Sequence, residues 1–173
     1  MHPTSAPEIF RQLADKLSYV SEEGFFHHLV RSLADILGVD HVVVEHVDSH
    51  QNISTTLAVW SQGEFIELAP YSLQDTPCQQ VANHSRLFVA CQIREQFPDD
   101  QRLAALKAEG YLGISIAAPG GGFLGAIVLM HSSPLGLPPY ADEVLRIAAA
   151  LAGAELARQL AESQTRERLL HKS

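Results

Sequence analysis

Tyr111-Leu112-Gly113-Ile114-Ser115-Ile116-Ala117 and Phe123-Leu124-Gly125-Ala126-Ile127-Val128-Leu129-Met130-His131 decide the fold, with Pro119-Gly120-Gly121-Gly122 between them. Two apolar, β-branched runs separated by a glycine-rich reversal predict an antiparallel hairpin. The triple glycine lies between two strands rather than between a strand and a helix. It therefore lacks the arrangement that cradles a phosphate at a helix N-terminus.

Working upstream, His41 to Val47 (HVVVEHV) is β-branched and bounded by turn residues, so it reads as a strand. Ile53 to Ser61 reads as a second, and Gly63 opens a third, FIELAPYSL. Short connections predict an antiparallel meander. Before it, Pro7 to Val20 carries Ile9, Phe10, Leu13 and Leu17 at helical spacing. Ser21 then caps a second helix, with Glu22 and Glu23 at its positive end and Gly38 behind it. Between the third strand and the hairpin the texture is irregular. Asp75-Thr76-Pro77-Cys78 opens a short helix over Cys78 to Asn83, because proline's missing N–H costs nothing in a first turn. A short strand, Arg86 to Cys91, and a helix from Asp100 to Glu109 follow, separated by Phe97-Pro98-Asp99-Asp100. After the hairpin, Pro138 or Pro139 opens a long Ala- and Leu-rich helix from Ala141 to about Gln164 or beyond. Strands are not alternated with helices, so the class is α+β rather than βαβ.

Composition narrows the function. The chain has 173 residues, 46% apolar and 18% charged, which describes one globular domain with short extensions. Twelve Lys and Arg against 20 Asp and Glu give a net charge of −8. That balance argues against nucleic acid, which needs a basic face, and makes an anionic ligand such as a cyclic nucleotide less attractive. Two cysteines are too few for a disulfide framework. MHPTSAPEIF has neither a basic nor an apolar signal region, and no apolar stretch reaches the ~18 residues a membrane span requires. A cytoplasmic location is the expectation.

The strand Tyr111-Leu112-Gly113-Ile114 and the run Gly121-Gly122-Phe123-Leu124-Gly125-Ala126-Ile127-Val128-Leu129 together resemble the Y-x-G-x-P-[IL] … G-x-[VL]-[LI]-G-x-L-x-[VL] hairpin of GAF domains. Ser72 to Val81 (SLQDTPCQQV) and Phe97-Pro98-Asp99-Asp100 are similar to a subgroup of bacterial sensor proteins. There T-P-C opens the helix beside the pocket, and F-P-x-D precedes the next. The likeness covers roughly Ser21 to Leu160 and departs at Ser115, where the family often has proline. It implies a PAS-like fold: a central antiparallel sheet of five or six strands, terminal helices on one face, and an irregular pocket-forming segment on the other. The domain division is 1–20 as a helical extension, 21–160 as the GAF domain and 161–173 as a C-terminal helical extension or linker.

The resemblance implies a small-molecule pocket between sheet and irregular segment. Its aromatic candidates are Trp60, Phe65, Tyr71, Phe88 and Tyr111; its polar ones are Thr76, Cys78 and Ser115. Cys78 at a helix N-terminus is also a candidate redox thiol, with Cys91 thirteen residues later, although a small apolar residue fits the same position. The cysteine surroundings do not resemble the methionine sulfoxide reductases of this fold. No two of the nine histidines lie on one expected helix at metal-ligand spacing; His41 and His46, five apart, point to opposite faces of a strand. Haem through one axial histidine has His84 or His131 as its candidate. The N-K-x-n-F-x3-D-E signature of cyclic-nucleotide binders and the motifs that accompany bilin attachment are missing, so no cofactor is assigned. In the last helix, Leu145, Ala148, Ala149, Ala152, Leu156, Gln159 and Leu160 form a stripe that permits close helix–helix approach, and a charged tail follows. The expectation is a non-enzymatic sensory domain, homodimeric through its terminal helices, stand-alone or feeding a histidine kinase or diguanylate cyclase. A pocket-filled interaction module and a cysteine-based redox sensor or reductase are the alternatives.

Overall fold

A 13-residue apolar stripe ending in Gly38 produces α1 (Phe25–Leu37), whose last turn is closed by the glycine's left-handed backbone and its N–H donated to the Ala34 carbonyl. The computed structural model describes residues 7, 8, 11–13, 15 and 24–172. The expected Ser21 cap and its two glutamates lie outside them. Within the expected first helix, the described residues are helical, and Leu13 is fully buried.

β1 (His41–Asp48) and β2 (Ile53–Ser61) pair antiparallel across a turn in which the Asp48 carboxylate accepts the His50 and Gln51 N–H groups. The expected third strand is divided in two. β3 (Glu64–Ile66) pairs with Val59 to Ser61, whereas β4 (Tyr71–Ser72) pairs with Ile53 and Ser54 at the other end of β2. Pro70 has no N–H for a ladder, and the Thr56 hydroxyl donates instead to the Leu68 carbonyl. α2 (Pro77–His84), β5 (Arg86–Val89), α3 (Ile93–Gln96) and α4 (Gln101–Ala105) make up the middle segment. The last of these is shorter than the expected Asp100 to Glu109, because Lys107 takes a left-handed backbone. β6 (Gly110–Ala117) and β7 (Phe123–His131) form the expected hairpin, and α5 (Ala141–His171) follows. The sheet is seven-stranded and antiparallel in the order β3-β2-β1-β7-β6-β5, with β4 also on β2.

Alternation sorts the strand residues into two cores. Val42, Val44, Leu112, Ile116, Ile127 and Leu129 face α1 and α5. Val43, Val47, Val59, Ala126, Val128 and Met130 face α2, α3 and α4. Terminal helices therefore cover one face and the irregular segment the other. Gly153 lets α5 lie on the hairpin: a Cβ there would stand 2.3 Å from the Ala117 carbonyl oxygen. Beyond Leu160 the helix continues exposed, with Leu169 and Leu170 turned to solvent.

The β1 start carries a buried imidazole. His41 is 2% exposed, its Nδ1 lies 2.9 Å from the Ser61 hydroxyl, and the Leu106 backbone lies beside the ring. Burial lowers its pKa below the ordinary 6.5 despite the neighbouring Asp40 carboxylate, and His46 is lowered in the same direction by its own burial. A depressed histidine is neutral in the fold and takes up its proton more readily when unfolded. Its contribution is thus fully present above pH 6.5 and lost as pH falls below it. Urea midpoints are expected to decrease from roughly pH 7.5 to about pH 5, the span over which histidine titrates. His41→Asn is expected to flatten the decline.

Candidate functional site

Four pieces of the chain converge on one carboxylate. Glu45 is the acidic residue inside the β-branched strand HVVVEHV, and alternation with Val43 and Val47 aims it at the middle segment. It is fully buried. Its Oε2 accepts from the Tyr71 hydroxyl of β4 at 2.6 Å, the Ser54 hydroxyl of β2 at 2.8 Å and Arg102 Nη1 of α4 at 3.3 Å. Its Oε1 accepts from the Cys78 thiol of α2 at 2.7 Å.

Local sequence places each partner. The register between β1 and β2 runs from Val44 opposite Ala58 to Glu45 opposite Thr56, leaving Leu57 as a bulge. Without that extra residue Ser54 shares the face of Ala58; with it, Ser54 turns to Glu45. Thr76 takes the N-cap position of α2 with Pro77 behind it, and its hydroxyl donates to the Leu73 carbonyl at 2.6 Å. That geometry delivers Cys78, two residues after Thr76, into the interior. Asp100 of Phe97-Pro98-Asp99-Asp100 caps α4 by accepting the Arg102 and Leu103 N–H groups, and its Oδ2 stands 3.5 Å from Arg102 Nη2. The guanidinium also lies over the Tyr71 ring, 3.5 Å from its centroid. Tyr111 of β6 is fully buried beside this cluster; its hydroxyl, Arg102 Nε and Asp100 Oδ2 have no hydrogen-bond partner among the described residues. Gly113 makes room there, since a Cβ would meet Val81 at 2.6 Å and the Tyr111 hydroxyl at 3.0 Å.

The electrostatics hold every hydroxyl and thiol in its protonated form. Burial first, and then the Glu45 carboxylate, push the Cys78 thiol and the Tyr71 phenol well above their ordinary values. Tyr111 is raised by burial and by Cys78 and Glu45. Burial opposes the Arg102 charge, but Glu45 together with Tyr71, Asp100 and Tyr111 outweighs it, and Arg102 stays cationic. A buried thiol of raised pKa is a poor nucleophile. Cys91 is exposed and free. With an aromatic disulfide reagent, Cys91 is therefore expected to react in the native protein, and Cys78 at least ~100-fold more slowly, at the rate of unfolding. A native count of two fast thiols would contradict the buried arrangement.

Of the residues singled out from sequence, Tyr71, Thr76, Cys78 and Tyr111 come together here. Trp60, Phe65 and Phe88 do not: they lie on the helix-covered face. Trp60 pairs with Val42, packs in the first core and lies under Arg31 of α1; Phe65 stacks edge-on against Trp60 and His27 and is 45% exposed. Phe88 pairs with Leu112 and borders a shallow cleft with Leu137, Pro138 and Pro139. Ser115 sits at the far end of β6, opposite Ala126, where it borders clefts against α5 with Ala117 and Ala149. His84 is exposed at the end of α2, and His131 is engaged with Asp40, its Nδ1 accepting the Asp40 N–H. Among the described residues no group of three or more His, Cys, Asp or Glu is arranged to hold a metal ion, and no helix is long and apolar enough to cross a membrane. Glu45, Ser54, Asp100 and Arg102 are the members that sequence reasoning misses. An acidic residue within an otherwise apolar strand is the available signal for the first.

The family model for GAF domains matches residues 21–156. Among solved structures, the GAF domain from Acinetobacter phosphoenolpyruvate-protein phosphotransferase is similar at 14% identity and a TM-score of 0.75, over 94% of this chain and 99% of that one. A variant of the chromophore-binding domain of Stigmatella aurantiaca bacteriophytochrome in the Pr state is similar at 11% identity and a TM-score of 0.69, over 88% of this chain and 60% of that one. Wild-type phytochrome P1 chromophore-binding domain from the same organism gives 9% identity and a TM-score of 0.67, over 86% of this chain and 58% of that one. At these identities the likeness is one of fold. No curated protein matches the chain by sequence.

Proposed function

The chain belongs to the GAF domain family, and on that premise we propose that it is a non-enzymatic sensory or regulatory module of bacterial signal transduction. In this reading a small molecule engages the polar cluster around Glu45, and the terminal helices carry the response, through a homodimer, to a downstream signalling domain. A cytoplasmic location goes with it. The observation that supports the reading most is the convergence of β2, β4, α2 and α4 on Glu45. A buried polar network on the irregular face ties that segment to the central strand, and β1 carries Val42 and Val44 on its other face against the helices. A ligand shifts such an assembly by as much as it prefers one of its arrangements.

The pocket-filled interaction module is favoured by one feature. Leu73, Val81, Ile93, Leu103 and Tyr111 fill the space between sheet and middle segment and are at most 1% exposed. Hydrogen exchange on the full chain, with and without a small-molecule extract of bacterial cells, separates the two readings. Protection changes over residues 71–105 and along α5 are expected. If neither region changes while light scattering shows a dimer, the ligand-responsive reading fails and the interaction module stands. A monomer at high concentration would count against the terminal-helix seam.

A further inference from the structure

The centre of the polar cluster is occupied by a side chain of the protein itself. Arg102 reaches it from a five-residue helix, with its guanidinium against the face of Tyr71 and between two carboxylates, Glu45 at 3.3 Å and Asp100 at 3.5 Å. An aromatic face with flanking carboxylates is the arrangement that recognises organic cations. Arg102 fits it imperfectly. Its contacts to the two carboxylates are single and long compared with the roughly 2.8 Å of a charge-assisted pair, and neither is bidentate. Its Nε, Asp100 Oδ2 and the Tyr111 hydroxyl are buried with no hydrogen-bond partner among the described residues, Oδ2 having only its 3.5 Å ion pair to Arg102. Two buried carboxylates face one guanidinium, so the cluster favours cations over anions.

We propose that Glu45, Asp100 and Tyr71 form a binding site for a small guanidinium compound, which Arg102 fills as a tethered stand-in. A free guanidinium enters by displacing Arg102 and releasing α4. The inference rests on the reading of this cluster as the ligand site and names the class of ligand. The physical reason for exchange is freedom of orientation. A planar fork not anchored to α4 is able to meet both carboxylates and the Tyr111 hydroxyl together, whereas Arg102 is held by its backbone at the first turn of α4, capped by Asp100. Arg102 is 10% exposed, so its side chain borders solvent and the displacing compound has a route in.

The test uses methylguanidinium as probe, with methylammonium and sodium chloride at matched ionic strength. Arg102→Ala removes the stand-in, and Arg102→Met does so while keeping apolar bulk. Methylguanidinium is expected to raise the melting temperature of either variant saturably, and to bind it by calorimetry at least ~tenfold more tightly than wild type, which must first release Arg102. Adding Glu45→Gln is expected to abolish the effect. In wild type, saturating methylguanidinium is expected to increase hydrogen exchange over Gln101 to Ala105. If neither single variant folds, that wild-type measurement decides. The proposal is overturned if methylguanidinium stabilises no better than salt, if methylammonium does equally well, if the Glu45→Gln background binds unchanged, or if α4 exchange in wild type is unaltered. A wild-type chain that answers the cell extract but not methylguanidinium overturns the ligand class and leaves the sensory reading intact. One that answers neither sinks both.

Discussion

Gly125→Ala is expected to cost about 3 kcal/mol or more, above the usual range for overpacking a core, and to leave a chain unfolded at temperatures where wild type is stable. Gly125 lies in β7 between His46 of β1 and Ile116 of β6. A Cβ at this position would stand 1.9 Å from the Glu45 carbonyl oxygen and 3.1 Å from the His46 Cα. Both are backbone atoms of the central strand, so no side chain is able to swing aside. Relief requires β1 and β7 to separate, which breaks ladder hydrogen bonds at the middle of the sheet and moves the strand that presents Glu45. Gly120→Ala is the control: nothing lies within 4 Å of its Cβ position, and its φ is not left-handed. Its urea midpoint is expected within error of wild type. A Gly125→Ala midpoint equally close to wild type would show that the two strands do not approach as described.

The same glycine marks how far the sequence is readable. Tyr111 to His131 is a hairpin by composition alone, and the order of elements around it follows from β-branched runs, caps and breakers. What the sequence conceals is which face a residue takes. Trp60 and Phe65 look like pocket aromatics on a meander, but Trp60 follows Val59, and Val59 is the residue of that pair that faces the middle segment. A bulge at Leu57 then reverses the alternation and brings Ser54 to Glu45. Alternation fixes relative faces within a strand; only the pairing register and its bulges connect one strand's faces to the next. Tyr71 is legible as an aromatic but not as a separate strand, because the break depends on Pro70 leaving the ladder. Glu45 escapes for a different reason. A lone carboxylate in a strand has no local partner, and the donors that satisfy it come from residues 54, 71, 78 and 102. By contrast, Asp100 and Pro77 are legible as helix openers, since caps act within a turn of their own position.

Removing the Glu45 carboxylate tests that long-range arrangement directly. Glu45→Ala is expected to cost roughly 3–5 kcal/mol, the range for taking one partner from a buried ion pair. The loss has two sources: Arg102 remains cationic and buried with Asp100 alone at 3.5 Å, and the Ser54, Tyr71 and Cys78 donors lose their acceptor. Glu45→Gln keeps the shape and one acceptor oxygen, so its cost is expected to be smaller, about 1–3 kcal/mol. If the charge makes the larger contribution, Arg102→Met should be less damaging in the Glu45→Ala background than in wild type. The double-mutant cycle should then show coupling of about 0.5–3 kcal/mol. Additive losses would mean that Arg102 is stabilised chiefly by the Tyr71 face and Asp100. Cys78 supplies a second readout that a general loss of stability would not imitate. Burial still raises its pKa in Glu45→Ala, but the neighbouring carboxylate that adds to the shift is gone. Because α2 also loses the Cys78–Glu45 hydrogen bond that ties its first turn to β1, local opening is expected to expose the thiol and to accelerate its labelling beyond the rate set by global unfolding, while the exposed Cys91 labels as before. Labelling that follows the unfolding rate alone would place the thiol's protection in the packing of α2, with Val81 and Leu73 around it, and not in the carboxylate.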